Sequence, residues 1–196
     1  MDEVRYYAGL LLLIAMPPGM IIWLFIHPFA QFWRKIGPVF TYALLSVPMM
    51  LLAYALYVKR DLLMVGDYGS SVPAFIVGSI AFIGAVIIGA KRHKYLKPSI
   101  LAGMPELSNK RYPGKLLNEG IYAKIRHPRY VEALLGVLGY VLYVNWLTGY
   151  ILLLFGFVMV YLIVLLEERE LCERFGSEYQ EYMQRVPRFF PDNLFL

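Results

Sequence analysis

Two short runs hold the side chains best suited to chemistry. The first is Gly120-Ile121-Tyr122-Ala123-Lys124-Ile125-Arg126-His127-Pro128-Arg129-Tyr130. Proline disfavours helix at the residue before it and suits the first helical position, so a helix is expected to start at or just after His127. Such a start offers free backbone N–H groups and a positive dipole end beside Arg126, His127 and Arg129. It suits an anionic or carboxylate-bearing ligand, or equally the anchoring of a span at the interface. The second run is Leu165-Leu166-Glu167-Glu168-Arg169-Glu170, where two adjacent acids end an apolar stretch. Desolvated carboxylates need partners. They could pair with Arg126 or accept hydrogen bonds from a ligand's ammonium or hydroxyls, unless the helix end is simply solvated. Glu170 and Arg174, and Glu181 and Arg185, stand at i,i+4 as on an exposed helix face, whereas Glu167 and Glu168 have no basic residue at i+4.

Other candidates are weaker. Glu132 follows the first run at the helix start and is either structural or part of an acceptor pocket. His27 precedes a proline at a span end, and His93 sits among Lys91, Arg92 and Lys94 as an interfacial residue. The three histidines lack metal-ligand spacing, so no metal site is expected. The single cysteine, Cys172, implies no disulfide. There is no Gly-rich phosphate loop and no Ser/His/Asp arrangement.

The elements that must position these groups are membrane spans. Of 196 residues, 59% are apolar and 17% charged, against roughly 25% charged in a soluble domain. Mean hydropathy is +0.56. A soluble domain of this length cannot bury that much apolar surface. A span takes about 20 apolar residues. Tyr6 to Ile26 is one, with a kink expected at Pro17-Pro18-Gly19; Pro38 to Val58 and Val72 to Ala90 are two more. The N-terminus lacks the charged start and cleavage site of a signal peptide, so the first stretch is kept as a span. Val131 to Leu166 carries only Glu132 as a charge and is broken by Asn145-Trp146, which predicts a tight helical hairpin and five spans in all.

With five spans and the N-terminus outside, sixteen of the 19 Lys and Arg fall on the cytoplasmic side, in 27–37, 91–130 and the tail from Glu167. The net charge of +5 thus reflects topology, and no nucleic-acid role is expected. Residues 1–90 read as a membrane anchor of three helices. Residues 91–196 read as the catalytic part, comprising a cytoplasmic loop, the hairpin and a C-terminal cap. In that cap, Cys172, Phe175, Tyr179, Tyr182 and Val186 form an amphipathic stripe. Gly176 reads as a helix stop, Ser177-x-x-Gln180 as a capping box, and Val186 to Pro191 as an extended strap.

GIYAKIRHPRY, then a helical hairpin, then EERELCERFGSEYQEYMQRVPRFFP resembles the integral-membrane methyltransferases, the isoprenylcysteine carboxyl methyltransferase and phospholipid methyltransferase group. The pattern covers about the last 80 residues. The resemblance implies an all-α polytopic fold and a cytoplasmic-face site for S-adenosylmethionine, released as S-adenosylhomocysteine. It implies methyl transfer to a lipidic or apolar acceptor from the bilayer. By the same likeness, Tyr122, Arg126, His127, Pro128 and Tyr130 line the cofactor site, and Glu167 is its acid with Glu168 alongside. Gly114, Leu116 and Leu117 would contact the adenosine part. Arg126, His127 and Glu167 are the expected catalytic set.

One departure concerns the acceptor. Where isoprenylcysteine enzymes carry an arginine associated with the acceptor's carboxylate, this chain has Ile163. An apolar residue cannot orient a carboxylate, which opens the acceptor to a phospholipid amine or a small apolar thiol; Glu132 and Ile163 are the candidate substrate contacts. Membrane sterol reductases, which use NADPH, carry a similar tail echoed in Cys172-Glu173-Arg174-Phe175-Gly176, and a non-catalytic membrane protein is the third possibility. Adjacent acids suit the 2′-phosphate of NADPH poorly. The implied location is a multi-pass membrane protein with a cytoplasmic C-terminus, in the plasma membrane of a prokaryote or the endoplasmic reticulum of a eukaryote.

Overall fold

The computed structural model describes residues 2–96, 103–107 and 116–191. Its elements are helices: α1 (Asp2–Ile26), α2 (Ala30–Ile36), α3 (Pro38–Val58), α4 (Arg60–Leu63), α5 (Val72–His93), α6 (Met104–Leu107), a 3-10 turn (Gly120–Ala123), α7 (Pro128–Val144), α8 (Leu147–Phe175) and α9 (Ser177–Arg185). The chain is an all-α polytopic membrane protein. Among the described residues, four helices are long and apolar enough to cross a bilayer: Glu3–Ile26, Pro38–Val58, Val72–His93 and Leu147–Phe175.

The expected fifth span, α7, falls short. It has 17 residues, about 26 Å of helix against a hydrocarbon core of about 30 Å. Pro128 sets its start, and Asn145, in the left-handed region at φ 52°, sets its end. The kink expected at Pro17-Pro18 does not end α1, which runs through both prolines as one helix. Helix α8 also differs from expectation, since it continues nine residues beyond Leu166 to Phe175. Glu167 and Glu168 therefore lie within a helix and not at its frayed end.

The α5–α7 pair makes the most extensive helix contact, and α1 packs on α8 and α3. Helix α3 buries only Thr41 and Leu45. Val39, Phe40, Met50, Tyr54 and Ile80 stay exposed on α3 and α5. Apolar surface of this extent is what a bilayer covers.

The bundle has two polar ends. At one end the Asn145-Trp146 hairpin is stitched to the segment after α4. Asn145 Nδ2 donates to the Gly69 carbonyl (2.8 Å), and the Thr148 hydroxyl donates to the Leu63 carbonyl (2.7 Å). Arg5 is buried there; its Nε donates to the Val144 carbonyl (3.0 Å), and it forms an ion pair with Asp67. Arg5→Ala should leave that carbonyl unsatisfied and lower stability by about 1–3 kcal/mol. Asp67, whose side chain is 39% exposed, can be rehydrated, so Asp67→Asn should lose less. Thermal unfolding in detergent measures both.

The opposite end gathers the α1–α2 turn, the end of α5, the 3-10 turn, the start of α7, the end of α8 and the tail. Gly176 ends α8 and α9 begins at Ser177. The expected capping box does not form, because Gly176 is the cap and Ser177 is already the first helical residue. The expected stripe is real: Tyr179, Tyr182 and Val186 are buried around Leu116, with Cys172 and Phe175 packed alongside.

Candidate functional site

The site grows from the turn that precedes α7. Gly120 opens it with φ +59°, a conformation that favours glycine, and an added Cβ there would crowd the Tyr95 ring. The 3-10 turn then buries Tyr122, whose carbonyl accepts a hydrogen bond from the Tyr182 hydroxyl (2.5 Å). Burial pushes the Tyr182 phenol up to about 12 and raises Tyr122 as well, so both remain neutral donors at physiological pH. His127 caps α7 and Pro128 takes its first position, where a missing N–H costs nothing.

The strap closes over this turn. Arg126 N–H donates to the Pro187 carbonyl (2.9 Å) and His127 N–H to the Arg188 carbonyl (3.1 Å). The backbone N–H groups of Arg126 and His127 are thus engaged by the chain itself.

Glu168 is the hub that joins the two sequence runs. Its Oε1 accepts from Arg126 Nη2 (2.7 Å) and Nε (3.1 Å) and lies 3.0 Å from His127 Nε2. Its Oε2 accepts from Arg188 Nη2 (2.7 Å). The hydrogen bond to Glu168 holds the Arg188 guanidinium above its ordinary pKa. Arg126 Nη1 donates to the Met183 carbonyl (2.9 Å) and to that of Val186. Arg126 therefore fastens the end of α9 and the strap to α8, and Glu168 is saturated.

Glu167, one residue earlier, points elsewhere. Its Oε2 is buried without a hydrogen-bond partner and lies 3.8 Å from His127 Nδ1. Tyr130, Arg129, His27 and His127 surround it. The Arg129 guanidinium stacks over Trp23 (5.0 Å to the centroid), and the Phe189 ring sits 6.2 Å from that of His127. Ile163 is buried beside Tyr130 in an apolar wall with Met159, Val160 and Val164. With His127 Nε2 donating to Glu168, Nδ1 and Glu167 Oε2 form a pair of acceptors that a ligand's ammonium or hydroxyl could bridge.

The remaining expected residues lie further out. Leu116 packs beneath α9 with Tyr179 and Tyr182, Leu117 is half-buried, and Gly114 lies outside the described residues. Glu132 accepts from Arg92 of α5 (2.5 and 3.2 Å). Among the described residues, no group of three or more His, Cys, Asp or Glu is placed to hold a metal ion.

Three features escape the sequence. Arg92 is buried, although it sits in a basic run that reads as interfacial. Glu170 is 5% exposed and ion-paired with Arg34 of α2, which overturns the expectation of an exposed helix face. The exposed i,i+4 pair is instead Arg169–Glu173 (3.4 Å). His27 is buried and stacks on Trp23 (5.4 Å). Only the period of α8, which places residues 163, 167, 170 and 174 on one face, could have flagged Glu170.

The sequence profile of the phospholipid methyltransferases matches residues 73–178. Two curated relatives are similar over shorter stretches. One is a nickel-cobalt-cadmium resistance protein, NccN, of Alcaligenes xylosoxydans xylosoxydans, 32% identical over 77 residues, or 39% of this chain and 36% of the relative. The other is a cobalt-zinc-cadmium resistance protein, CzcN, of Cupriavidus metallidurans, 38% identical over 77 residues, or 39% of this chain and 35% of the relative. The chain thus matches about a third of the length of each.

Proposed function

The chain belongs to the phospholipid methyltransferase family, within the integral-membrane methyltransferase superfamily, and from that premise we propose that it transfers a methyl group from S-adenosylmethionine to a lipidic acceptor. The observation that carries this reading is the buried, unpartnered Glu167 Oε2 facing His127. A buried acceptor without a donor is costly unless a ligand satisfies it. The donor molecule's ammonium and hydroxyls are suitable partners, and Tyr122 and Tyr130 offer aromatic faces to a sulfonium cation.

When bound, S-adenosylmethionine supplies an already activated methyl group. The chain's residues then have to orient, exclude water and manage a proton. Glu167 binds. Arg126 acts as a positioning residue, since its hydrogen bonds run to Glu168 and to the carbonyls beneath the strap. Phe189 and the apolar wall at Ile163 keep water from His127. An amine or thiol acceptor must lose a proton, and His127 Nδ1, with Nε2 held by Glu168, is the group available to receive it. The Ile163 wall suits a phospholipid amine or an apolar thiol better than a carboxylate. We place this face in the cytoplasm, with the acceptor arriving from the bilayer; residues 1–90 anchor and residues 91–196 carry most of the chemistry.

Purified protein incubated with methyl-labelled S-adenosylmethionine and a membrane lipid extract should yield labelled lipid. S-adenosylhomocysteine should raise its unfolding temperature and NADPH should not; the reverse would indicate a reductase. Glu167→Gln removes the charge while keeping the shape. It should weaken S-adenosylhomocysteine binding by about ten-fold or more with little change in stability. Unchanged binding in this variant would remove Glu167 from the site.

A further inference from the structure

Helix α8 turns Glu167, Glu170 and Arg174 toward His27, in the turn between α1 and α2, and Arg34 of α2. His27, Phe29, Phe32, Arg34, Glu170 and Arg174 line a cavity of about 370 Å3. Several polar atoms of its lining lack hydrogen-bond partners. His27 is 4% exposed, yet neither ring nitrogen has a hydrogen-bond partner. Glu170 Oε1 receives Arg34, but its Oε2 is buried with no partner. Arg174 Nε and Nη1 are likewise buried without a hydrogen-bond partner, although Nη1 forms an ion pair with Glu170 Oε1 at 3.7 Å. Five polar atoms of three side chains in one chamber thus lack hydrogen-bond partners. A buried polar group left without a partner is costly, and a ligand that supplies the partner recovers that cost.

The charges define what would satisfy them. Arg34 and Arg174 balance Glu170 and Glu173 in the lining. Burial lowers the His27 pKa, so the imidazole is neutral and offers one donor and one acceptor. A bare anion would leave Glu170 Oε2 without a hydrogen-bond donor, and a bare cation would leave Arg174 Nε without an acceptor. We propose that this chamber binds a small zwitterion, an ammonium joined to a carboxylate or phosphate, with the oxyanion on Arg174 and His27 and the ammonium on Glu170. The ligand's two sources rest on the methyl-transfer reading: the amino-acid end of the methyl donor, or the headgroup of an aminophospholipid. Glu167 of the candidate site stands one turn before Glu170 on the same face of α8.

The test uses the full chain in detergent and calorimetric titration with S-adenosylhomocysteine, 5′-methylthioadenosine (which lacks the amino-acid end) and dihexanoylphosphatidylethanolamine. His27→Phe keeps a ring on Trp23 and deletes only unpartnered nitrogens, so the unliganded variant should unfold at the wild-type temperature or above. A merely structural histidine would not combine that with weaker binding. If the donor is the source, wild type prefers S-adenosylhomocysteine to 5′-methylthioadenosine by about ten-fold or more, and both His27→Phe and Arg174→Gln erase the preference. If the headgroup is the source, the variants lose about ten-fold for the short lipid and keep the preference. Unchanged affinities for all ligands in both variants, or a wild type that binds none of them, overturn the proposal. A wild type that binds neither adenosyl compound but loses the short lipid on mutation sinks the methyl-donor reading and sustains the chamber.

Discussion

Glu168→Ala is expected to detach the strap and lower stability by about 3–5 kcal/mol, the range for removing one partner of a buried ion pair. The carboxylate is 7% exposed and faces Arg126 at 8% and His127 at 4%. Removing it leaves a buried guanidinium with no counter-charge, and the Arg126 bonds to the Met183 and Val186 carbonyls lose the anchor that aims them. Arg188 is 33% exposed, so its share is screened, and Arg188→Ala should lose only about 1 kcal/mol. Unfolding in detergent followed by tryptophan fluorescence gives the stability. Proteolysis after Arg185 and Arg188 gives the opening of the strap. Loss of S-adenosylhomocysteine binding should accompany it, because the strap holds Phe189 against His127. An alanine variant that unfolds with the wild type and resists cleavage would show that the hub does not hold the tail.

Gly139→Leu should be the most damaging change away from the site. Gly139 meets Gly78 where α7 crosses α5, and an added Cβ would lie 2.7 Å from the Gly78 carbonyl oxygen and 3.3 Å from the Phe82 nitrogen. Those are backbone atoms and cannot rotate away. In a membrane, helix pairs gain little from the hydrophobic effect and depend on close packing at small residues. A leucine there forces the helices apart, at about 1–3 kcal/mol or more. The opening also strains the Arg92–Glu132 pair near the start of α7 and so the turn that carries His127. Gly19, in α1, has nothing within 4 Å of an added Cβ. Gly19→Leu is the matched control and should be neutral or slightly stabilising. Equal unfolding temperatures for the two variants would refute the close-packing account.

Most of the fold was legible because its signals are local. Apolar length marked α1, α3 and α5, and the start of α7 followed from proline's fixed geometry at residue 128. Its end followed from Asn145, and Gly176 was legible as a helix stop, although not as the end of the same helix that crosses the membrane. The period of the tail stripe identified the face that Tyr179 and Tyr182 bury. Each of these depends on residues within a turn or two of one another, so spacing along the chain determines them.

What the sequence determined alone about the site was its inventory: an Arg-His-Pro turn, an adjacent pair of acids and a strap. Only the tertiary structure decided how these divide the work. Adjacent residues on a helix lie about 100° apart around its axis. Glu168 therefore turns toward the Arg126 turn and Arg188 of the strap, where it is saturated, while Glu167 turns toward α1 and keeps an unpartnered oxygen. The partners of Arg5 and Arg92, and the Arg34 that pairs with Glu170, are separated from them by tens of residues or more, and no periodicity records which distant segment a polar side chain will meet. Burial without local pattern is set by how the helices pack, and so the candidate chamber beside Glu167 became visible only when α2 and α8 were placed together.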